Sequence, residues 1–385
     1  MTYLDYAAAT PMADEVLDAM RPYLVERFYN PAAPYAPARA VNADLEDART
    51  RIAYVLGSRP DNVTFTAGAT EANNLAFAAA SGHVITDAIE HESVLACAKS
   101  RDASIVGVDA KGLVNPEDIR AALCPDTELV SISLANGEIG AIQPIRAIAR
   151  VVAEERMRRL EEGNQTPLLL HTDASQAAGS VSVNVSTLGV DLLTLSAAKI
   201  YGPKQVGLLW HADGIALRPL VLGGGQEGGL RSGTQNVVGA VGFAVALELA
   251  DRMRPRETKR LRSLSSLLQR RLAQEIPQVV FSGPTQAKLR LPGLVHVSIP
   301  DVEARRLVIA LERRGIYVGT GSACAASRMR VSHVLEAIGL PANVAMGSLR
   351  LTMGRQTTEE DVNAAVAGIA ECVRLERART GETKA

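Results

Sequence analysis

The sequence carries almost no net charge, −1 at neutral pH. No global field therefore draws it to nucleic acid or to a membrane surface, and direct contact with either is not expected. Long apolar runs are missing too. The longest, around Gly239–Leu249, is too short to span a bilayer and takes in Glu248. The opening residues "MTYLDYAAATPM" lack the basic segment and apolar core of a secretory signal. Cysteine is scarce: Cys97, Cys124, Cys324 and Cys372 show no close pairing. They read as reduced thiols of a cytoplasmic protein. Internal repeats and low-complexity tracts are absent.

What is present suits a globular chain. Hydrophobic residues make up 47% and charged residues 22%, and 385 residues suggest one large domain with a smaller one attached. Short β-type runs alternate with helical stretches: "NVTFTAG" (62–68), "HVITD" (83–87), "ASIVGVD" (103–109), "ELVSISLA" (128–135), "PLLLHTD" (167–173), "VDLLTLS" (190–196) and "VGLLWH" (206–211). This alternation predicts an α/β fold with a mostly parallel sheet covered by helices on both faces. Ligands of such sheets bind beyond the carboxyl ends of the strands. Thr70, His91, Asn136, Asp173 and Ser196 fall at those ends.

From Val237 to about Glu275 the pattern predicts one or two long helices. A second unit begins near Val279, with strands at 294–300 and 347–354 and a helix at 303–315 ending at Gly315. An amphipathic helix over 357–379, acidic in its first turn, closes the chain. The run "EERMRRLEEGNQ" (154–165) reads as a solvated helix end and loop without a function.

Three features suggest chemistry. Lys199 follows a strand-like run, and Asp173 ends the one before it. A lysine that forms a Schiff base and a carboxylate facing a pyridinium nitrogen are the working pair of a pyridoxal phosphate enzyme, although an Asp cap and a surface Lys give the same spacing. "TAGATEANN" (66–74) puts Gly68, Ala69 and Thr70 at a strand-to-helix junction, where backbone N–H groups favour an anion. "VGTGSACAAS" (318–327) sets Cys324 among small residues, a better setting for a reactive thiol than for a packed one.

Read together, the chain resembles the cysteine desulfurases of the aminotransferase class V group, in the branch with a long cysteine loop. The resemblance rests on "YLDYAAATPM" (3–12), "FTAGATEANNLA" (65–76), "EHESV" (90–94), "ANGEIG" (135–140), "HTDASQAAG" (171–179), "LSAAKIYGPKQVG" (195–207), "GGGQEGGLRSGTQN" (223–236), "GSACAAS" (321–327) and "GSLRLTMGR" (347–355), in this order. It implies fold type I: an N-terminal segment 1–13 packing with the small domain, a large cofactor domain 14–255, and a small domain 256–385 carrying a mobile cysteine loop at about 318–331. It implies pyridoxal 5'-phosphate bound by Lys199, with Asp173 at the ring nitrogen, Gln176 at the ring hydroxyl and His91 stacked on the ring and moving protons. Ala69, Thr70 and Ser196 would bind the phosphate, and Thr234 the phosphate of a partner in a homodimer. Asn136, next to the cofactor, and Arg350 would hold the carboxylate of the substrate L-cysteine. Cys324 would take the sulfur as a persulfide and pass it to an acceptor or scaffold protein, for iron–sulfur cluster assembly or thiolation. No resident metal is implied, although Cys324 could ligate a cluster transiently.

The chain departs from the family at several positions. Ala198 stands where the family has a phosphate-binding histidine, Gly228 where it has an arginine, and Tyr35 where it has a histidine. Asn136 lacks the second asparagine of a usual pair, and Val331-Ser332 replaces Pro-Ser. The expectation is an active but divergent desulfurase. The alternatives are a related β-lyase, such as one acting on selenocysteine, or a non-catalytic scaffold.

Overall fold

The computed structural model describes residues 1–320 and 332–381. Cys324 and most of the expected cysteine loop lie outside these described residues. The elements run β1 (Thr2–Leu4), α1 (Asp14–Val25), α2 (Ala36–Leu56), β2 (Val63–Thr66), α3 (Ala69–Phe77), β3 (His83–Asp87), α4 (Glu92–Lys99), β4 (Ala103–Val106), α5 (Pro116–Ala122), β5 (Thr127–Ser131) and α6 (Ile145–Glu161). Then follow β6 (Leu169–Asp173), α7 (Val185–Leu188), β7 (Leu192–Ser196), β8 (Gly207–His211), α8 (Val237–Glu275), β9 (Val280–Ser282), β10 (Leu294–Ser298), α9 (Ala304–Glu312), β11 (Ile316–Val318) and β12 (Ser348–Thr352). Helix Glu359–Thr380 closes the described chain.

Seven strands form one sheet in the order β2-β8-β7-β6-β5-β3-β4, parallel except for β8, which runs antiparallel to both neighbours. This is the fold class expected from the alternating pattern. The order reverses direction between β3 and β5, which creates a crevice at the carboxyl ends of the strands. β3 and β7 are buried along their whole length, because helices cover both faces.

The expected second unit is a smaller sheet, β12-β10-β9, antiparallel throughout. Its core, which includes Val295, Leu307, Leu349, Val366 and Ile369, forms a hydrophobic cluster separate from that around the seven-stranded sheet. Helix α8 is one helix, 39 residues long with Pro255 inside it. At 1.5 Å per residue it is about 58 Å long, enough to bury Phe243 and Leu247 in the first core and Leu268 and Leu272 in the second. The N-terminal strand β1 joins the second unit by pairing in parallel with β11, and its Leu4 belongs to that unit's core. The closing helix begins with a capping box between Thr358 and Asp361, behind the acidic first turn the sequence predicted.

One expectation is corrected. The 154–165 run is not simply solvated. Arg159 is 2% exposed and ion-paired with buried Glu155 at 2.8 Å. Its guanidinium also donates to the carbonyls of Cys124, Thr127 and Thr166. Arg159 thus clamps the start of β5 and the loop before β6 onto α6. Charge density along the run hid this because the deciding contacts come from other segments.

No helix among the described residues is long and apolar enough to cross a membrane. Cys97, Cys124 and Cys372 are free thiols, and among the described residues no cluster of three or more His, Cys, Asp or Glu could hold a metal ion.

Candidate active site

The crevice contains a cavity of about 800 Å³, including space open to solvent. Each strand in the neighbourhood delivers residues to it. Ala69 opens α3 after β2, and Glu90 and His91 follow β3. Asn136 follows β5, Asp173, Ser175 and Gln176 come from the end of β6, and Lys199 follows β7. The second unit contributes Arg350 from β12 and His333. The sequence-predicted residues Ala69, His91, Asn136, Asp173, Gln176, Lys199 and Arg350 therefore line one cavity.

Lys199 is held from above by the N-terminal segment. Its Nζ donates to the carbonyl oxygens of Ala7 at 2.8 Å and Ala8 at 2.7 Å. Gln176 Nε2 donates to the same Ala7 carbonyl at 3.1 Å. Burial, followed by the positive charge of Arg350, lowers the Lys199 pKa below that of an ordinary lysine. Asp5 and Asp173 oppose the shift only in part. The amine thus loses its proton more readily, as a nucleophile toward a carbonyl must.

Asp173 is oriented by two donors, Asn73 Nδ2 on Oδ2 and Ser175 N–H on Oδ1, both at 2.9 Å. Each oxygen keeps a lone pair for a ligand. Ser175 Oγ is buried and has no partner among the described residues. Asn136 is largely committed internally: Oδ1 accepts from the N–H groups of Glu138 and Ile139, and Nδ2 donates to Ile89 O. One amide hydrogen remains for a ligand. Arg350 donates to Asp5 Oδ1 at 2.8 Å and to Gly137 O at 3.2 Å, and its buried Nε has no partner among the described residues.

At the other end of the crevice, Gly68 is the N-cap of α3, with φ 147°, and offers no side-chain cap. The first N–H groups of α3 are therefore left for an anion. Only glycine tolerates that backbone, and a side chain at neighbouring Gly207 would strike the Gly68 carbonyl carbon at 2.5 Å. Thr70 is exposed at this helix start, and Ser196 ends β7 beside Gly207. Thr234 is not gathered into the cavity. It lines a separate one with Phe65, Glu227 and Arg231.

Several polar residues went unassigned in the sequence. Glu90 is 2% exposed and accepts hydrogen bonds from the N–H and hydroxyl of Ser133. Burial, and then the neighbouring Asp87, push its carboxyl well above the ordinary range, against the pull of Ser133. Asp5, Asn73 and Ser93 also support named site residues. Asp5, Asn73, Glu90 and Ser93 all lie inside the segments that carry the resemblance, but position in a motif does not say which way a side chain points.

A lysine freed by burial, a two-point-anchored carboxylate, an uncapped helix start and an unpartnered buried guanidinium nitrogen suit an aldehyde-bearing aromatic phosphate and an amino-acid carboxylate. The architecture is that of a fold type I pyridoxal phosphate enzyme. The comparisons agree: the aminotransferase class-V family model matches residues 2–365. The cysteine desulfurase IscS of Dictyoglomus turgidum is 40% identical, over 94% of this chain and 91% of its own. Human cysteine desulfurase is 35% identical, over 94% and 80%. Among solved structures, a NifS-like protein has a TM-score of 0.88 at 34% identity, covering 97% of this chain and 100% of its own. "SspA in complex with cysteine" has a TM-score of 0.77 at 32% identity, covering 92% and 99%. The chain belongs to the aminotransferase class V family and, within it, to the cysteine desulfurases, which in general depend on pyridoxal phosphate.

Proposed function

We propose that the protein converts L-cysteine to L-alanine and leaves the substrate's sulfur as a persulfide on Cys324, for transfer to an acceptor protein in iron–sulfur cluster assembly or thiolation. The observation that carries this reading is the convergence of Lys199, Asp173, His91 and Arg350 on one cavity, in a chain so similar to cysteine desulfurases. A relative of the same fold, SspA, has been solved with cysteine bound.

Pyridoxal phosphate would be held by Lys199, Asp173, Gln176, Ala69, Thr70 and Ser196, and when bound would supply an electron sink at the substrate's α-carbon. Arg350 Nε, buried and without a partner among the described residues, receives the substrate carboxylate, and the free Asn136 amide hydrogen supports it. Lys199, its pKa lowered by burial, holds and returns protons beside the substrate. Cys324 attacks the substrate sulfur as a thiolate. A bond forms between the two sulfurs, the substrate's carbon–sulfur bond breaks, and its β-carbon takes up a proton to leave as alanine. Thr234, apart from this cavity, fits a role in completing the phosphate site of a second subunit in a homodimer. The two separate cores support a division into segment 1–13, large domain 14–255 and small domain 256–385.

The test is to incubate purified protein with L-cysteine and measure alanine and sulfide, together with persulfide labelling. Equimolar alanine and sulfane sulfur are expected. Cys324→Ser should still bind cofactor and cysteine but carry no persulfide. Label found instead on Cys97, Cys124 or Cys372 would overturn the assignment of Cys324.

A further inference from the structure

Two buried side chains link His91 to Asp173. Asn73, fully buried on α3, donates from Nδ2 to Asp173 Oδ2 and to Ser93 Oγ, each at 2.9 Å. The carboxylate accepts only, so the amide cannot be turned over without setting oxygen against oxygen. Asn73 Oδ1 is buried with no partner among the described residues, an unfavourable arrangement maintained because Nδ2 is needed on the other side.

The direction of the next bond follows. Ser93 Oγ accepts from Asn73, so its own hydrogen is free for His91 Nδ1, 2.8 Å away. The Ser93 backbone N–H also donates to Nδ1, at 3.1 Å, making His91 the N-cap of α4. That hydrogen cannot be relocated. Two donors therefore converge on Nδ1, which must be the unprotonated nitrogen, and the neutral ring carries its hydrogen on Nε2. Among the described residues Nε2 has no hydrogen-bond partner, and His91 is exposed along the cavity wall.

We infer that Asn73 and Ser93 are positioning residues that hold His91 as its Nε2–H tautomer and tie it to Asp173, so that His91 presents a protonated Nε2 to a ligand in the cavity. The functional meaning rests on the proposed roles of His91 and Asp173; the tautomer itself does not. Removing one neutral hydrogen bond from this chain should lower kcat about two- to tenfold.

The experiment is proton–nitrogen correlation NMR of the full protein, with and without added pyridoxal phosphate, labelled with 15N in its six histidines. His91→Gln identifies the signal. The expected wild-type pattern is a bare Nδ1 and a protonated Nε2. Ser93→Ala and Asn73→Leu should each move the His91 Nδ1 resonance while the backbone N–H of residue 93 keeps that nitrogen unprotonated, leaving the other five histidines in place as evidence of folding. Ser93→Thr, which keeps the hydroxyl, should restore the wild-type position. A protonated Nδ1 in the wild type overturns the inference without needing any variant. A His91 signal unchanged in folded Ser93→Ala overturns the link through Ser93. Because the tautomer is read without turnover, a protein that failed to release alanine from cysteine would refute the proposed function and leave this result standing.

Discussion

Asp5 Oδ1 lies 2.8 Å from Arg350 Nη2, joining a residue of the N-terminal segment to one on β12, 345 positions later. Gly319 packs against the pair so closely that a side chain there would approach Asp5 Oδ1 to 2.7 Å. With Gly137 O on Nη1, the guanidinium is held at two corners, and its buried Nε has no partner among the described residues. Asp5 thus orients the proposed carboxylate-binding group.

Asp5→Ala should release Arg350. A hydrogen bond to a charged group contributes roughly 1.5–3 kcal/mol, so KM for L-cysteine should rise about tenfold or more, with a smaller change in kcat. Steady-state kinetics on folded variant check this. An unchanged KM would remove Asp5 from the site.

Lys199 makes a prediction in pH. Its folded-state pKa lies below the ordinary lysine value of 10.5 because it is buried and faces Arg350. Between the lowered value and 10.5 the unfolded chain binds more protons than the folded one, so the Lys199 contribution to stability rises with pH across that window. Chemical denaturation of cofactor-free protein at several pH values should show the rise, and Lys199→Met should flatten it. Lys199→Ala should also abolish both the visible absorbance of bound cofactor and turnover.

The proposed phosphate site should be short of one donor at Ala198. The backbone carbonyl of this residue is engaged by Thr10 N–H and Oγ1, while its side chain offers nothing to an anion. Ala198→His should slow cofactor loss by about one to two decades, the effect of one charge-assisted hydrogen bond. Thr234→Ala should speed it. Absorbance followed during dialysis measures both. No change in either variant would mean that another group has replaced the family's histidine.

Arg159 should prove a stability residue with no effect on chemistry. Arg159→Ala leaves three carbonyls without this donor while Glu155 keeps Arg158, costing roughly 1–3 kcal/mol as for other unsatisfied buried groups. Hydrogen bonding by Arg158, and next by Arg159, lowers the Glu155 pKa to about 2. Its stabilisation is thus complete above the ordinary value of 4.5 and lost as pH falls toward about 2. Denaturant titrations of both proteins at neutral and acid pH read the difference. Equal stability at neutral pH would contradict this account of the clamp.

Much of the fold was legible in the sequence because its signals are local. Alternating strands and helices predicted the parallel sheet, amphipathic periodicity with an acidic first turn marked the closing helix, and Gly315 with φ 71° marked a helix end. The order of the motifs likewise singled out Lys199, Asp173, His91 and Arg350. Tertiary structure alone decided how these side chains are oriented. Asn73 and Asp173 are 100 residues apart, Lys199 and Ala7 192, and Asp5 and Arg350 345. The same is true of Arg159, which the local run of charge placed in solvent and the loop before β6 covers. Propensity, capping and periodicity act within a few turns of chain, whereas burial, hydrogen-bond partners and the pKa of a lysine depend on segments that meet only when the sheet closes and the N-terminal strand pairs with β11.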